Sequence, residues 1–372
     1  MDEHRCTVIA GTGSYIPTKV IPNSDFLNRE FYGSDGKRLE KSNEEIIKKF
    51  EEITCIKERR YADDNQVASG LAYLAAEDAL SSSGIDRESL DYLVVAHNFG
   101  DVKIDNRRSD FVPSLASRVK NKLGIKNPYT IASDLPFGCP GWLQGVIQVD
   151  SYFKAGNGTR ALVIGAETLS RISDPHDIDS MIYSDGAGAA ILESINSEKQ
   201  VGILSHASRS DTHENAYLLW MAKSYNPNYC GDELFLKMSG HDLYEYALKT
   251  VAGVAKESLD KAGLTLSDVK KALLHQANEK MDEAIIKRLF KLYGVKPSGE
   301  DVRQVMPMII SWLGNSSVAT VPTLLDLIVK GKVNNHVLGE NDIVSFVSVG
   351  AGTNVNSVVY RMSGYEFSNP RS

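Results

Sequence analysis

The sequence predicts an α/β fold built twice. Apolar, strand-like runs alternate with amphipathic helical stretches along its 372 residues, the pattern of sheets covered by helices. Residues 83–95, SGIDRESLDYLVV, can be laid on 262–274, AGLTLSDVKKALL, at a constant offset; each copy follows an Ala-rich helix and leads into an apolar strand. Near the ends of the two halves, Val163-Ile-Gly-Ala-Glu167 resembles Ser348-Val-Gly-Ala-Gly352. Two βαβ-type units imply helix-covered sheets packed against each other, with halves 1–195 and 196–372 meeting near 193–205. In such a duplicated fold, strand ends and helix starts from both halves converge on one site.

In order, residues 8–17 read as a buried strand ending in a glycine-rich turn. The turn, GTGSY, lacks the third glycine and the immediate helix of a dinucleotide-binding motif. Residues 24–60 read as charged and helical, closing with IKERR at 56–60. Ala68–Ser83 is a helix with Gly84 as its stop, followed by a strand at Leu90–Ala96. A helix at Pro113–Leu123 precedes the segment Asp134-Leu-Pro-Phe-Gly-Cys-Pro-Gly141. After it, apolar residues at 142, 143, 146, 147, 149, 152 and 153 follow a helical period. Strands at Ala161–Gly165 and Gly186–Leu192 complete the first half. In the second, an apolar strand ends at His275, an amphipathic helix spans Glu279–Tyr293, and an apolar helix follows Asn315.

Composition narrows the function classes. Apolar content of 42% and charged content of 24% are ordinary for a globular protein with a sizeable core. A net charge of −7 argues against general nucleic-acid affinity, and any acidic partner must be met by a local basic patch. No apolar run approaches a membrane span. The opening residues, Met1 to Cys6, lack the basic and apolar regions of a signal peptide. The four cysteines at 6, 55, 139 and 230 form no CxxC pair and no Cys/His cluster, so the expectation is a reduced, cytoplasmic enzyme without a metal site.

Cys139 is the candidate nucleophile. Pro140 suits the first position of a helix, where its missing N–H is no loss, and Cys139 then falls at the N-cap. Free backbone N–H groups and the helix dipole there favour negative charge, so the thiol should ionise more easily. The bland alternative is a buried structural cysteine at a helix start. His275, after an apolar strand, reads equally as a cap or core residue. Asn315 reads as an N-cap, and the Gly350-Ala-Gly352 turn as an ordinary strand end or as backbone donors facing an oxyanion.

Taken together, Cys139, His275 in HQAN, Asn315 in GNSS and the GAG turn at 350–352 resemble the β-ketoacyl-acyl carrier protein synthase III family of the thiolase superfamily. So do Ile56–Arg60, Val112-Pro-Ser-Leu-Ala116, Ser184–Ala190 and Ser357–Arg361, which spread the resemblance over nearly the whole chain. It implies a duplicated, thiolase-like five-layer αβαβα fold, a homodimer, and a catalytic set of Cys139, His275 and Asn315. The implied reaction is a decarboxylative Claisen condensation of an acyl thioester primer with malonyl carrier protein, in fatty-acid initiation. The implied partners are acyl carrier protein and acyl-CoA or another acyl thioester, with no metal or redox cofactor. The oxyanion hole would be the N–H groups of Cys139 and Gly352. Val112 falls at an acyl-pocket gate, Asn278 in HQAN at substrate, and Lys280 at the carrier protein.

The terminal turn lacks the second reactive cysteine of a thiolase, and Asn315 stands where two-histidine synthases carry His. The alternatives are a related condensing enzyme of alkylresorcinol, aryl-polyene or polyketide type, a papain-type thiol hydrolase, and a non-catalytic acyl-binding protein. The chain departs from the family pattern at Pro140, in GAGTNVN, in the small Val112, which suggests a longer or branched primer, and at Lys48-Lys49-Phe50, which lacks a tryptophan.

Overall fold

A computed structural model describes residues 4–367. The reading of residues 1–3 lies outside the described residues. Two sheets form the frame. The first has five strands in the order His4–Tyr15, Asp185–Ser197, Arg160–Thr168, Tyr92–His97 and Ile131–Pro136. The second runs Gly202–Ser210, Asn354–Arg361, Ile343–Gly350 and Val269–Leu274. Strand for strand the two agree in order and sense. The first two pairings of each are antiparallel, and the next, Arg160–Thr168 on Tyr92–His97 or Ile343–Gly350 on Val269–Leu274, is parallel.

Three helical layers complete the stack. Gly141–Lys154 and Thr320–Val329 lie between the sheets, and their apolar side chains share one core with both inner sheet faces, including Trp142, Phe153, Leu324, Phe346 and Tyr360. Ala68–Ser83 and Leu115–Lys122 cover the outer face of the first sheet, while Gly240–Lys261 and Glu279–Leu292 cover that of the second. This is the five-layer αβαβα architecture. The inner helices are buried almost all round, as a central layer requires.

Two sequence expectations change. GTGSY is not a turn: the strand continues through it to Tyr15 with a bulge between Ile9 and Gly11. Its glycines admit the covering helix, since a Cβ on Gly13 would lie 2.2 Å from Ala79 N. Residues 24–60 are not one helical stretch. Apart from a 3-10 turn at Asn23–Phe26, the helix is Asn43–Thr54, opened by a capping box from Ser42 and Glu45. Glu58–Tyr61 instead pairs with Lys19–Pro22 as a small antiparallel ladder.

Among the described residues the second sheet stops at four strands. The segment at the place of a fifth strand in chain order, residues 305–309, contains Pro307, which has no N–H for a ladder. The buried Gln276 side chain substitutes for it. Its Nε2 donates to Pro307 O at 2.9 Å, and its Oε1 accepts from Ile309 N at 2.9 Å. Among the described residues no helix is long and apolar enough to cross a membrane.

Candidate active site

The site lies where strand ends and inner-helix starts from both sheets meet. Cys139 follows Ile131–Pro136 in the turn closed by Gly141 N donating to Gly138 O at 2.9 Å. Gly138 holds φ at 74°, a left-handed conformation that favours glycine. The helix begins at Gly141 with Pro140 as its N-cap, so Cys139 sits one residue further out than expected. Gly350, ending Ile343–Gly350, presses against it: a Cβ there would lie 2.6 Å from Cys139 N and 2.8 Å from Cys139 Cβ.

Asn315 is fixed by its neighbours. Its N–H donates to Ile182 O at 3.0 Å and its carbonyl accepts from Ser184 N at 2.8 Å, joining it to the strand that carries SDGAGAA. Its Oδ1 accepts from Ser317 N at 2.8 Å, which leaves the amide NH2 as its free group. His275 follows Val269–Leu274 and is held by its N–H donating to Val347 O at 2.8 Å. Cys139, His275 and Asn315 all line one cavity of about 940 Å³, within the usual range of small-molecule sites. Its walls are largely apolar, including Phe50, Phe99, Leu169, Ile182, Leu236 and Met238.

One residue ties the three together. Ser317 Oγ donates to Cys139 Sγ at 3.2 Å, its N–H holds Asn315, and its backbone lies beside the His275 ring. Behind it, Asn98 Nδ2 donates to Ser317 Oγ at 3.0 Å, and Glu167 Oε1 accepts from Asn98 N at 2.8 Å and also from Asn98 Nδ2. Sequence reasoning missed Ser317, Asn98 and Glu167. A signal for Ser317 was present in the second Ser of GNSS, whereas Asn98 and Glu167 carry none apart from their places at or just beyond strand ends.

Burial governs the electrostatics. It pushes the Cys139 thiol up to about 11; the Ser317 hydrogen bond opposes this, and the Glu167 charge adds to it. Desolvation thus works against the easy ionisation expected of a thiol at a helix start. Burial also pushes Glu167 up to about 8 and the His275 imidazole down to about 4. At neutral pH the imidazole is uncharged. His275 Nδ1 is buried with no hydrogen-bond partner among the described residues. A proton on Nε2 avoids burying an orphan N–H.

The remaining predicted residues divide. Asn278 lines the cavity and also caps Glu279–Leu292, its side chain accepting from Met281 N at 3.2 Å. Lys280 is exposed in the first turn of that helix. Gly352 does not line the cavity; with φ of 73° it turns the chain towards Asn354, and Gly350 and Ala351 are the turn residues on the cavity wall. Val112 is 86% exposed and outside the cavity lining of its own chain, which removes it as a gate within one subunit. Among the described residues, no group of three or more His, Cys, Asp or Glu side chains is placed to hold a metal ion.

Comparison with known proteins gives this geometry a family. The sequence signature of 3-oxoacyl-[acyl-carrier-protein (ACP)] synthase III matches residues 133–212, and that of its C-terminal part matches 259–362. The chain is 31% identical over 348 residues to β-ketoacyl-[acyl-carrier-protein] synthase III of Ehrlichia chaffeensis, covering 93% of this chain and 96% of that protein. The crystal structure of the Thermus thermophilus synthase III superposes with a TM-score of 0.76 at 29% identity, over 96% of this chain and 99% of that one. The priming β-ketosynthase of the R1128 polyketide pathway superposes at 0.78 over 98% of each chain; at 24% identity it shows the shared fold alone. The chain belongs to the β-ketoacyl-[acyl-carrier-protein] synthase III family, acyltransferases that carry out the condensing step of fatty-acid initiation.

Proposed function

We propose that Cys139 takes an acyl group from a thioester primer and that His275 and Asn315 then drive decarboxylative condensation with a malonyl thioester. The observation that supports this best is the wall on which a thiol, a neutral imidazole and a free amide NH2 surround Ser317 in one apolar cavity. Cys139 Sγ attacks the primer carbonyl, the thiol leaves with the cysteine proton, and the acyl group remains on sulfur. The N–H groups of Cys139 and Gly352 are our assignment for the oxyanion, with Gly350 and Ala351 of the same turn on the cavity wall. One such donor is worth about 3 kcal/mol.

The malonyl thioester then loses CO2. The enolate oxygen accepts from His275 Nε2 and Asn315 Nδ2, neither of which must change protonation state to donate. The carbanion attacks the acyl-Cys139 carbonyl and expels the Cys139 thiolate, releasing a 3-oxoacyl thioester; the thiolate then takes a proton from solvent to restore the thiol. Each step is served by side chains and backbone, so the chemistry calls for no cofactor. Incubating the protein with an acyl thioester panel and malonyl carrier protein should yield 3-oxoacyl carrier protein; acyl-enzyme without condensation would sink this reading.

Acyl carrier protein is our assigned partner at the cavity mouth. Lys280 lies two residues after Asn278, which itself lines the cavity, and its exposed charge suits an acidic partner. A homodimer is the assembly we propose. Ile131–Pro136 is an edge strand with Ile131 54% exposed; Tyr129, just before it, is 84% exposed and Val112 86%. Apolar side chains on an open edge call for cover. Val112 would then reach an acyl pocket only from the second copy; a monomer in sedimentation experiments at micromolar concentration would exclude this. We further propose that residues 1–195 and 196–372 are the two halves of the duplication and that the protein works in the cytoplasm. The thiols of all four cysteines are free, which suits a reducing compartment.

A further inference from the structure

We propose that Ser317 is a catalytic hydrogen-bond donor to the Cys139 sulfur, and that Asn98 and Glu167 are positioning residues that fix the direction of its single proton. The inference rests on Cys139 being the nucleophile and adds what keeps a buried thiol reactive.

A serine hydroxyl has one proton and two lone pairs, so its direction is set by what surrounds it. The Asn98 Nδ2 group, 3.0 Å from Ser317 Oγ, can only donate. That side of the hydroxyl must therefore accept, and the proton is left for Cys139 Sγ at 3.2 Å. The amide of Asn98 is kept from flipping by Glu167, whose Oε1 accepts from both Asn98 N and Asn98 Nδ2. With one Nδ2 proton on Glu167 and the other on Ser317, the amide donors are fully used. The line of donors therefore points one way, from the carboxyl-anchored amide through the hydroxyl to sulfur.

The backbone supports the same reading. Ser317 holds φ at 53°, in the left-handed region where a non-glycine residue is uncommon. Strain of this kind persists only where the surroundings impose it, and it gathers at functional sites. Here the Ser317 N–H bond to Asn315 Oδ1 and the packing of Val318 on Gly165, where a Cβ would meet Val318 O at 2.3 Å, hold the turn. The strained conformation places the hydroxyl on sulfur while the same residue's N–H orients the amide that serves the second half-reaction. Glu167 lies at the far end, buried and, among the described residues, lacking a cationic partner. In its neutral form it anchors Asn98 without setting a negative charge near the thiolate.

The test is the pH dependence of Cys139 alkylation by iodoacetamide, followed by intact mass, with Cys139→Ala marking the background from the other cysteines. Ser317→Ala should move the alkylation midpoint up by at least one pH unit and slow acylation by acyl thioester about 10- to 100-fold, the weight of one hydrogen bond to a charged group. Asn98→Leu, which frees the hydroxyl to rotate, should shift the midpoint in the same direction by less. Glu167→Gln, which keeps an acceptor for Asn98, should retain more thiolate reactivity than Glu167→Leu. An unmoved midpoint in Ser317→Ala, or in Asn98→Leu should the first variant not fold, overturns the proposal. That failure is separate from failure of the nucleophile itself, in which Cys139→Ala would still take the acyl adduct.

Discussion

Replacing Asn315 by Asp would separate the two half-reactions. The Asn315 side chain gives its Oδ1 to Ser317 N at 2.8 Å and keeps its NH2 for the enolate. Asn315→Asp preserves the acceptor and the shape but turns the donor into an oxygen. Loss of one preorganised donor costs about 10²- to 10³-fold in rate. An ionised carboxylate about 4 Å from a developing enolate adds repulsion of about 4 kcal/mol at an effective dielectric of 20, or roughly another 10³-fold. Decarboxylation of malonyl thioester at pH 8 should therefore fall at least 10³-fold, read as CO2 release. Acyl-Cys139 formation, read by intact mass, should stay within a factor of a few. As pH falls and the introduced carboxyl takes a proton, it regains an O–H donor, so decarboxylation should partly recover. An equal fall in both half-reactions, or no fall in CO2 release, would refute the role assigned to the amide.

Three further outcomes follow from the same geometry. Gly350→Ala puts a methyl 2.6 Å from Cys139 N, where only backbone can give way, so melting temperature and Cys139 alkylation should both drop; an unchanged alkylation rate would contradict the close packing of strand end on nucleophile. Glu167→Gln should stabilise the fold more at pH 9 than at pH 6. The folded carboxyl is raised to about 8 against an ordinary value near 4.5, so the native state holds a proton that the unfolded chain has released, and stability falls as pH rises between those values. A melting-temperature gain independent of pH would show that Glu167 does not titrate there. Lys280→Glu should raise KM for carrier-bound malonate several-fold without changing kcat, and an unchanged KM would take Lys280 out of the interface.

Much of this molecule was legible because its signals are local. Helix Ala68–Ser83 and its Gly84 stop follow from an apolar period and a left-handed C-cap, with Gly84 φ at 65°. The duplication showed because the short turns Arg87–Ser89 and Leu266–Asp268 precede matching strands in matching sheets. Cys139, His275 and Asn315 stood out through their neighbours in sequence. What stayed hidden depends on distant approach. Glycines in GTGSY look like a turn until a helix packs 2.2 Å from where a Cβ would be. Gln276 looks like part of a catalytic motif, yet it bonds Pro307 O and Ile309 N, on either side of Met308. Glu167, Asn98 and Ser317 are 150 residues and more apart along parts of their path, and only the meeting of both halves makes them a chain of hydrogen bonds. The desolvation of the thiol, which opposes the effect expected from a helix start, is likewise a property of the assembled walls.

The central claim is that Cys139 carries the acyl group. Its most direct test is intact-protein mass after incubation with a panel of acyl-CoAs and acyl carrier protein thioesters, for the wild type and Cys139→Ala. A single acyl adduct is expected on the wild type and none on the variant; its mass names the primer and its preferred donor names the carrier. An adduct that survives Cys139→Ala, or none from any thioester with Cys139 also inert to alkylation, would contradict the claim.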